Sequence, residues 1–331
     1  MKWSLILVLI FTTFDFWAQS PLKIAFEFPE HDVVPEGIAY DPRSQSFFIS
    51  STFRRNIIRI DKNGRYGNFV NEQQDSLQGV VGMRVDPTGR YLWAASCNFG
   101  RGMPMKNPDS LSEGRTSIHK YEIATGRLLN RYALGNPADP HAFNDLVISK
   151  TGTVFITDTR AGRIYTLSKS ARDLEVYFQL DKGMYPNGID ITPDGKFLFI
   201  AVYARPKNLF IRLEVEKKEY QVIELQANWP AGADGLYYYA NSLIAVIPGP
   251  GMNKVIRYKL DSKLSEAVEQ VVLVNNDPML SQPSTGVVVN DKFYFVATSN
   301  LQLFAKRYRE TSGMVDVKEF PPLRVGLVRL K

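Results

Sequence analysis

The stretch Pro186-Asn187-Gly188-Ile189-Asp190-Ile191-Thr192-Pro193-Asp194-Gly195-Lys196-Phe197-Leu198-Phe199-Ile200-Ala201-Val202 decides the fold. A small polar head and a glycine lead into alternating apolar residues, which is the period of a strand. Pro-Asp-Gly then reverses the chain, because proline presets one turn dihedral and glycine accepts the other. A second apolar run follows. Five more segments share this design: Glu36-Gly37-Ile38-Ala39-Tyr40-Asp41-Pro42, Val81-Gly82-Met83-Arg84-Val85-Asp86-Pro87 (with Thr88-Gly89), Asn144-Asp145-Leu146-Val147-Ile148-Ser149, Asp234-Gly235-Leu236-Tyr237-Tyr238-Tyr239 and Thr285-Gly286-Val287-Val288-Val289-Asn290. The heads stand at 36, 81, 144, 187, 234 and 285, spaced by 45, 63, 43, 47 and 51 residues.

After each turn comes a β-rich run, at 47–50, 91–94, 154–157, 197–202, 243–247 and 293–297. Third strands are readable at 56–61, 163–167, 209–213 and 254–260. Short strands repeating every 40 to 50 residues are the signature of propeller blades. Helical signals are nearly absent; residues 264–270 read better as a link between strands. A late strand at 326–330 has a partner at 23–28 that closes the ring. The expectation is an all-β, six-bladed β-propeller with four antiparallel strands per blade, one domain over residues 21–331.

Composition agrees with a globular chain of this size. Of 331 residues, 44% are apolar and 22% charged, which excludes a disordered polymer, a coiled coil or a multispan membrane protein. The net charge of +6 comes from 40 basic residues scattered among 34 acidic ones, without a basic run that points to nucleic acid. The single cysteine, Cys97, excludes an intramolecular disulfide and a cysteine-based zinc site. With only three histidines, any metal has to be held mostly by oxygen.

Residues 1–20 have the layout of a secretory signal: Met1-Lys2, an apolar stretch over 5–17, then Ala18-Gln19-Ser20. Asp15 interrupts the apolar run before it reaches the roughly 20 residues that span a bilayer. Cleavage is expected between residues 18 and 20, and the location is secreted or periplasmic, with no membrane span afterwards.

In a propeller the innermost strands line a central channel, so equivalent heads converge at one mouth. Glu36, Asn144, Asn187 and Asp234 bring two carboxylates and two carboxamides from four blades to one axis. Any single Asn-Gly or Asp-Gly is ordinary turn chemistry. Two like charges on one axis repel unless a cation sits between them, and hard oxygen donors of this kind suit Ca²⁺. Another divalent cation remains open at this point.

The motifs Glu36-Gly37, Phe143-Asn144-Asp145, Pro186-Asn187-Gly188 with Pro193-Asp194-Gly195, and Asp234-Gly235 resemble the senescence marker protein/gluconolactonase/regucalcin family. The wider superfamily, which includes paraoxonase and diisopropyl fluorophosphatase, has the same Glu, Asn, Asn, Asp layout. The resemblance runs along the chain in blade order. It implies a six-bladed propeller with a catalytic divalent ion, usually calcium, in the channel, and hydrolysis of lactones, esters or phosphotriesters. Carried over, the ligands are Glu36, Asn187 and Asp234, with Asn144 as fourth ligand or as a contact to substrate and water. Two departures stand out. Sugar lactonases carry Arg-Phe-Asn-Asp where this chain has Ala142-Phe143-Asn144-Asp145, so the arginine that reaches substrate hydroxyls is missing. The sixth-blade histidine of some members is Thr285 here, which argues against a second, structural calcium.

The expected activity is therefore an exported, Ca²⁺-dependent hydrolase of a small lactone or ester. Asp234 is the preferred base or nucleophile, Asn144 assists, and His141 is a candidate proton shuttle or else an ordinary loop histidine. Loops between second and third strands are expected to rim the mouth. The longest, 97–116, brings Cys97, Asn98, Arg101, Met103, Pro104 and Met105; Arg205 and the segment 248–252 join the rim. Arg101, Arg205 and Thr285 are the candidate substrate contacts. The alternative is a propeller that binds a ligand or protein without turnover, because propellers are reused for many functions.

Overall fold

The computed structural model describes residues 22–136, 138–249 and 251–331, and the side chains of Arg101 and Ser110 lie outside that description. The expected export signal therefore also falls outside the described residues. Six four-stranded antiparallel sheets follow one another around a ring. Blade one is β2 (Ile38–Asp41), β3 (Ser46–Ser50), β4 (Ile57–Ile60) and β5 (Tyr66–Val70); blade two is β6 (Gly79–Val85), β7 (Tyr91–Cys97), β8 (Thr116–Glu122) and β9 (Leu128–Leu134). Blade three is β10 (Phe143–Ile148), β11 (Val154–Asp158), β12 (Arg163–Leu167) and β13 (Glu175–Gln179). Blade four is β14 (Tyr185–Ile191), β15 (Phe197–Tyr203), β16 (Leu209–Glu214) and β17 (Glu219–Val222). Blade five is β18 (Gly235–Tyr239), β19 (Ser242–Ile247), β20 (Lys254–Leu260) and β21 (Ala267–Asn275).

Blade six closes the ring. It consists of β22 (Gly286–Val289), β23 (Lys292–Val296) and β24 (Leu323–Arg329), with β1 (Lys23–Phe28) as its outer strand. The closing pair joins Lys23 to Leu327 and Phe28 to Leu323, as the sequence leads one to expect. Joining the two ends of the chain in one sheet removes the open edge that a linear array of blades would expose.

Each blade buries both faces of its middle strands against its neighbours, so strands such as β15 and β19 read as nearly unbroken apolar runs. The core is correspondingly divided into clusters at the seams. Ala39, Phe48, Met83 and Tyr121 fill one between blades one and two, and Tyr237, Ile244, Phe293 and Val328 fill one between blades five and six. Outer strands such as β13 are largely exposed and mixed in polarity.

One element was not legible. An α-helix, α1 (Leu301–Glu310), stands between β23 and β24, where the sequence reading found no helix. Leu301, Phe304, Ala305 and Tyr308 follow helical spacing, a signal that a reading organised around period-two strands passes over. Phe304 and Ala305 are its buried positions. The segment 264–270 is no helix; it runs into β21.

Removing β1 leaves β24 paired on one edge only, with β23, and takes away Phe28, which is 6% exposed and packs against blade one. A chain starting at residue 29 is expected to unfold at clearly lower urea concentration than one starting at residue 22, measured by far-UV circular dichroism. Equal midpoints would show that the closing strand carries no stability.

Candidate functional site

The six inner strands approach the axis so closely that side chains are excluded beside the heads. A Cβ on Gly37 would stand 2.1 Å from the Val81 carbonyl oxygen, and one on Gly188 would stand 2.5 Å from the Leu236 nitrogen. Neither glycine has a positive φ. Their role is therefore close approach between neighbouring blades and not the turn chemistry that Asn-Gly suggests in isolation.

The heads themselves lie where the ladders slip. Pairing is irregular between Val80 and Met83, between Phe143 and Leu146, and between Pro186 and Ile189. Each irregularity spans the head residue and the one after it. Bulges of this kind re-aim side chains beside functional sites. They place Val81, Asn144 and Asn187 on a common cavity with Glu36 and Asp234.

That cavity has a volume of about 280 Å³. Its floor is the set Glu36, Asn144, Asn187 and Asp234, the same four residues that the sequence singles out. Asn187 donates from Nδ2 to Asp234 Oδ1 at 3.0 Å, which leaves Asn187 Oδ1 buried without a partner. Ser299, wholly buried, donates its hydroxyl to Glu36 Oε1. Burial and then the Asp234 charge push the Glu36 carboxyl well above the usual carboxylate range, against the Ser299 hydrogen bond. Burial likewise pushes Asp234 up to about 6, although the Asn187 amide pulls the other way. Two carboxyls that repel across a channel hold a shared proton when no cation is present.

These features fit a hard cation. The donors are oxygens, two of them anionic, and the orphaned Asn187 oxygen is a buried acceptor that a metal would satisfy. Among the described residues no group of three or more His, Cys, Asp or Glu is placed to hold a metal, so the amide oxygens are needed to complete the set.

A second layer lies beneath. Arg84 of blade two reaches across the channel to Asp145 of blade three at 3.4 Å and to the Ile189 carbonyl of blade four at 3.5 Å. Its guanidinium lies 4.9 Å from the Tyr237 ring of blade five. Burial pushes Asp190, beside it, up to about 6, and Arg84 opposes that shift. This buried cluster fills the axis below the floor, so the cavity is reached from the head end.

Of the other site residues expected from the sequence, His141, Thr285 and Arg205 do not line this cavity. His141 is buried, with Nδ1 2.5 Å from Asp158 Oδ2 and Nε2 3.4 Å from Asp139, and it does not line the cavity. It anchors the strand entering blade three. Thr285 donates its hydroxyl to the Glu36 carbonyl at 2.5 Å, as Ser284 does at 2.9 Å, so both brace Glu36 from behind. Arg205 lines a separate surface cavity with Lys182, Tyr185 and Lys207. Arg101 lies in the short turn Gly100–Gly102 at the rim, its side chain outside the described part. Cys97 ends β7 instead of opening a rim loop; it is fully buried, and burial pushes its thiol up.

Sequence reasoning missed Phe99, Tyr203, Gln282, Ser299, Leu301 and Gln302, all of which line the cavity. Ser299, Leu301 and Gln302 belong to the α1 insertion. Tyr203 ends β15, and burial followed by the Asp234 and Glu36 charges raises its phenol.

The class defined by this arrangement is a six-bladed propeller with an acidic, oxygen-lined mouth on its axis. Solved structures share the architecture. A gluconolactonase from Xanthomonas campestris is 13% identical, with 94% of this chain and 95% of that one covered at a TM-score of 0.59. A putative oxidoreductase (glucose dehydrogenase) from Thermus thermophilus is 13% identical over 92% of this chain and 99% of that one, TM-score 0.62. Virginiamycin B lyase from Staphylococcus aureus is 16% identical over 83% and 81%, TM-score 0.56. Identities this low show the fold. Neither a protein-family model nor a curated protein matches the chain.

Raised carboxyl pKa values mean that the folded, metal-free protein binds more protons than the unfolded chain between about pH 4 and pH 6. Its stability is thus expected to rise as pH falls from 7 to 5. Saturating Ca²⁺ should raise the melting temperature at pH 7 and remove most of that trend. Calorimetric scans at both pH values, with and without the ion, check this; a calcium response unchanged in Asp234→Asn would count against the axial site.

Proposed function

We propose that the protein is an exported Ca²⁺-dependent hydrolase of the gluconolactonase-like type, acting on a lactone or ester. The observation that supports this reading best is the orphaned Asn187 oxygen. It is buried on the axis beside two carboxyls held above their usual pKa range, at the floor of a cavity of substrate size. The large-scale likeness to gluconolactonases and the secretory layout of residues 1–20 point the same way.

Glu36, Asn187 and Asp234 would hold the ion, with Asn144 as fourth ligand or as substrate contact. A divalent ion bound there supplies Lewis-acid polarisation of the acyl oxygen. The chain's own residues do the rest. Asp234, oriented by the Asn187 amide, takes the proton of the attacking water as the water oxygen adds to the acyl carbon, or itself attacks that carbon. Ser299 fixes Glu36 from the side, and Thr285 and Ser284 fix its backbone. Val81, Phe99 and Met103 keep bulk water off the reacting face.

Hydrolysis of a panel of lactones and aryl esters is expected to require Ca²⁺ and to stop on chelation. Asp234→Ala and Asn187→Ala should each lower kcat/KM by at least about 100-fold, the loss typical of a missing base or electrostatic stabiliser. Arg205→Ala should leave kcat/KM unchanged. Calcium binding without turnover of any panel member would replace the hydrolase with a metal-bearing binding propeller.

A further inference from the structure

The cavity is not symmetric about the axis. Three segments between second and third strands, in the adjacent blades six, one and two, build a cap over one half of the mouth. They cover residues 297–322, 51–56 and 98–115. Phe53 of blade one packs on Phe304 of α1 at 4.8 Å, and Phe304 packs on Phe320 at 5.4 Å. Lys106 of the blade-two segment donates its backbone N–H to the Phe53 carbonyl at 2.8 Å, and Arg55 donates to the Asn107 carbonyl at 2.9 Å. Helix α1 rests against the turn Gly100–Gly102. On the far side, blades three and four have short segments at 159–162 and 204–208.

Under the cap, the wall facing the acidic floor is made of Phe99, Met103 and Leu301. Opposite stand Tyr203 and Pro248. Among the described residues no Lys or Arg lines the cavity. A polyhydroxylated ring would find Asn144, Gln282 and Gln302, but any hydroxyl turned toward the Phe99, Met103 and Leu301 face would lose water without gaining a hydrogen-bond partner.

From this asymmetry we infer that the ligand is an acyl compound whose apolar alkyl or aryl substituent lies under the cap, against Phe99, Met103 and Leu301, with its carbonyl on the floor. This deepens the hydrolase reading and rests on it for the position of the carbonyl. The volume of about 280 Å³ is nearly twice that of a cavity able to hold benzene, about 150 Å³. It therefore takes a substituent of moderate length under the cap.

The test separates binding from turnover by using γ-lactams, which keep the ring and carbonyl of a γ-lactone but resist hydrolysis. Affinities of unsubstituted and 5-alkyl γ-lactams for the Ca²⁺-loaded protein are measured by calorimetry, beside one polyhydroxylated lactam. Affinity is expected to rise about three- to fourfold per added methylene until the cap is filled, and then to level off. Leu301→Ala should weaken the longest bound lactam by about fivefold while leaving the unsubstituted one unchanged. Phe99→Ala, on a different segment, carries the same expectation should the helix variant fail to fold, which thermal unfolding reports.

A flat chain-length series overturns the inference, as does tighter binding of the polyhydroxylated lactam, or no binding by any of them. If the alkyl series behaves as expected while the matching γ-lactones are not hydrolysed with Ca²⁺, the ligand class stands and the hydrolase reading falls.

Discussion

Everything at the mouth depends on how closely six inner strands can converge. The blades meet at the axis with so little room that Gly37 and Gly188 lie against the backbone of the next blade. That approach forces Glu36 and Asp234 together in one small, buried space, where neither is readily ionised without a counter-charge. The ladder irregularities at 81–82, 144–145 and 187–188 follow from the same crowding: an inner strand that must turn a polar side chain inward gives up regular pairing there. Packing, charge and chemistry are thus consequences of one geometric constraint.

The two layers of the channel solve the charge problem differently. Below, a resident guanidinium, Arg84, lies among Asp145, Asp190 and Tyr237 and needs nothing from outside. Above, no described cation lines the cavity, and an amide oxygen is left over. The upper layer is therefore the one built to receive a charge, and the lower layer seals the channel beneath it. Bracing of Glu36 by Ser284, Thr285 and Ser299, all from blade six, ties the receptive layer to the blade that closes the ring. Ring closure and site geometry are mechanically linked.

The blades and the four oxygen-bearing heads were legible because both are local and periodic. An inner strand must alternate, its hairpin must carry turn residues, and its head must recur at blade spacing. The same locality explains the misses. His141 lies three residues before Asn144, yet its ring turns away to Asp158, a partner seventeen residues on and across the hairpin. Thr285 occupies a head position but spends its hydroxyl on the neighbouring blade's backbone. Arg205, two residues past Tyr203, falls into a different cavity although Tyr203 lines the axial one.

The sequence by itself determined a propeller of six blades, its closure by residues 23–28, and the residue types that meet on its axis, because strand period and repeat spacing require no knowledge of distant contacts. Only the tertiary structure decided that the glycines serve close approach, that Arg84 fills the lower channel, and that α1 and the segments at 51–56 and 98–115 form an apolar cap over half the mouth. Those facts depend on side chains brought together from blades far apart in the chain, where separation along the sequence says nothing about distance across the ring.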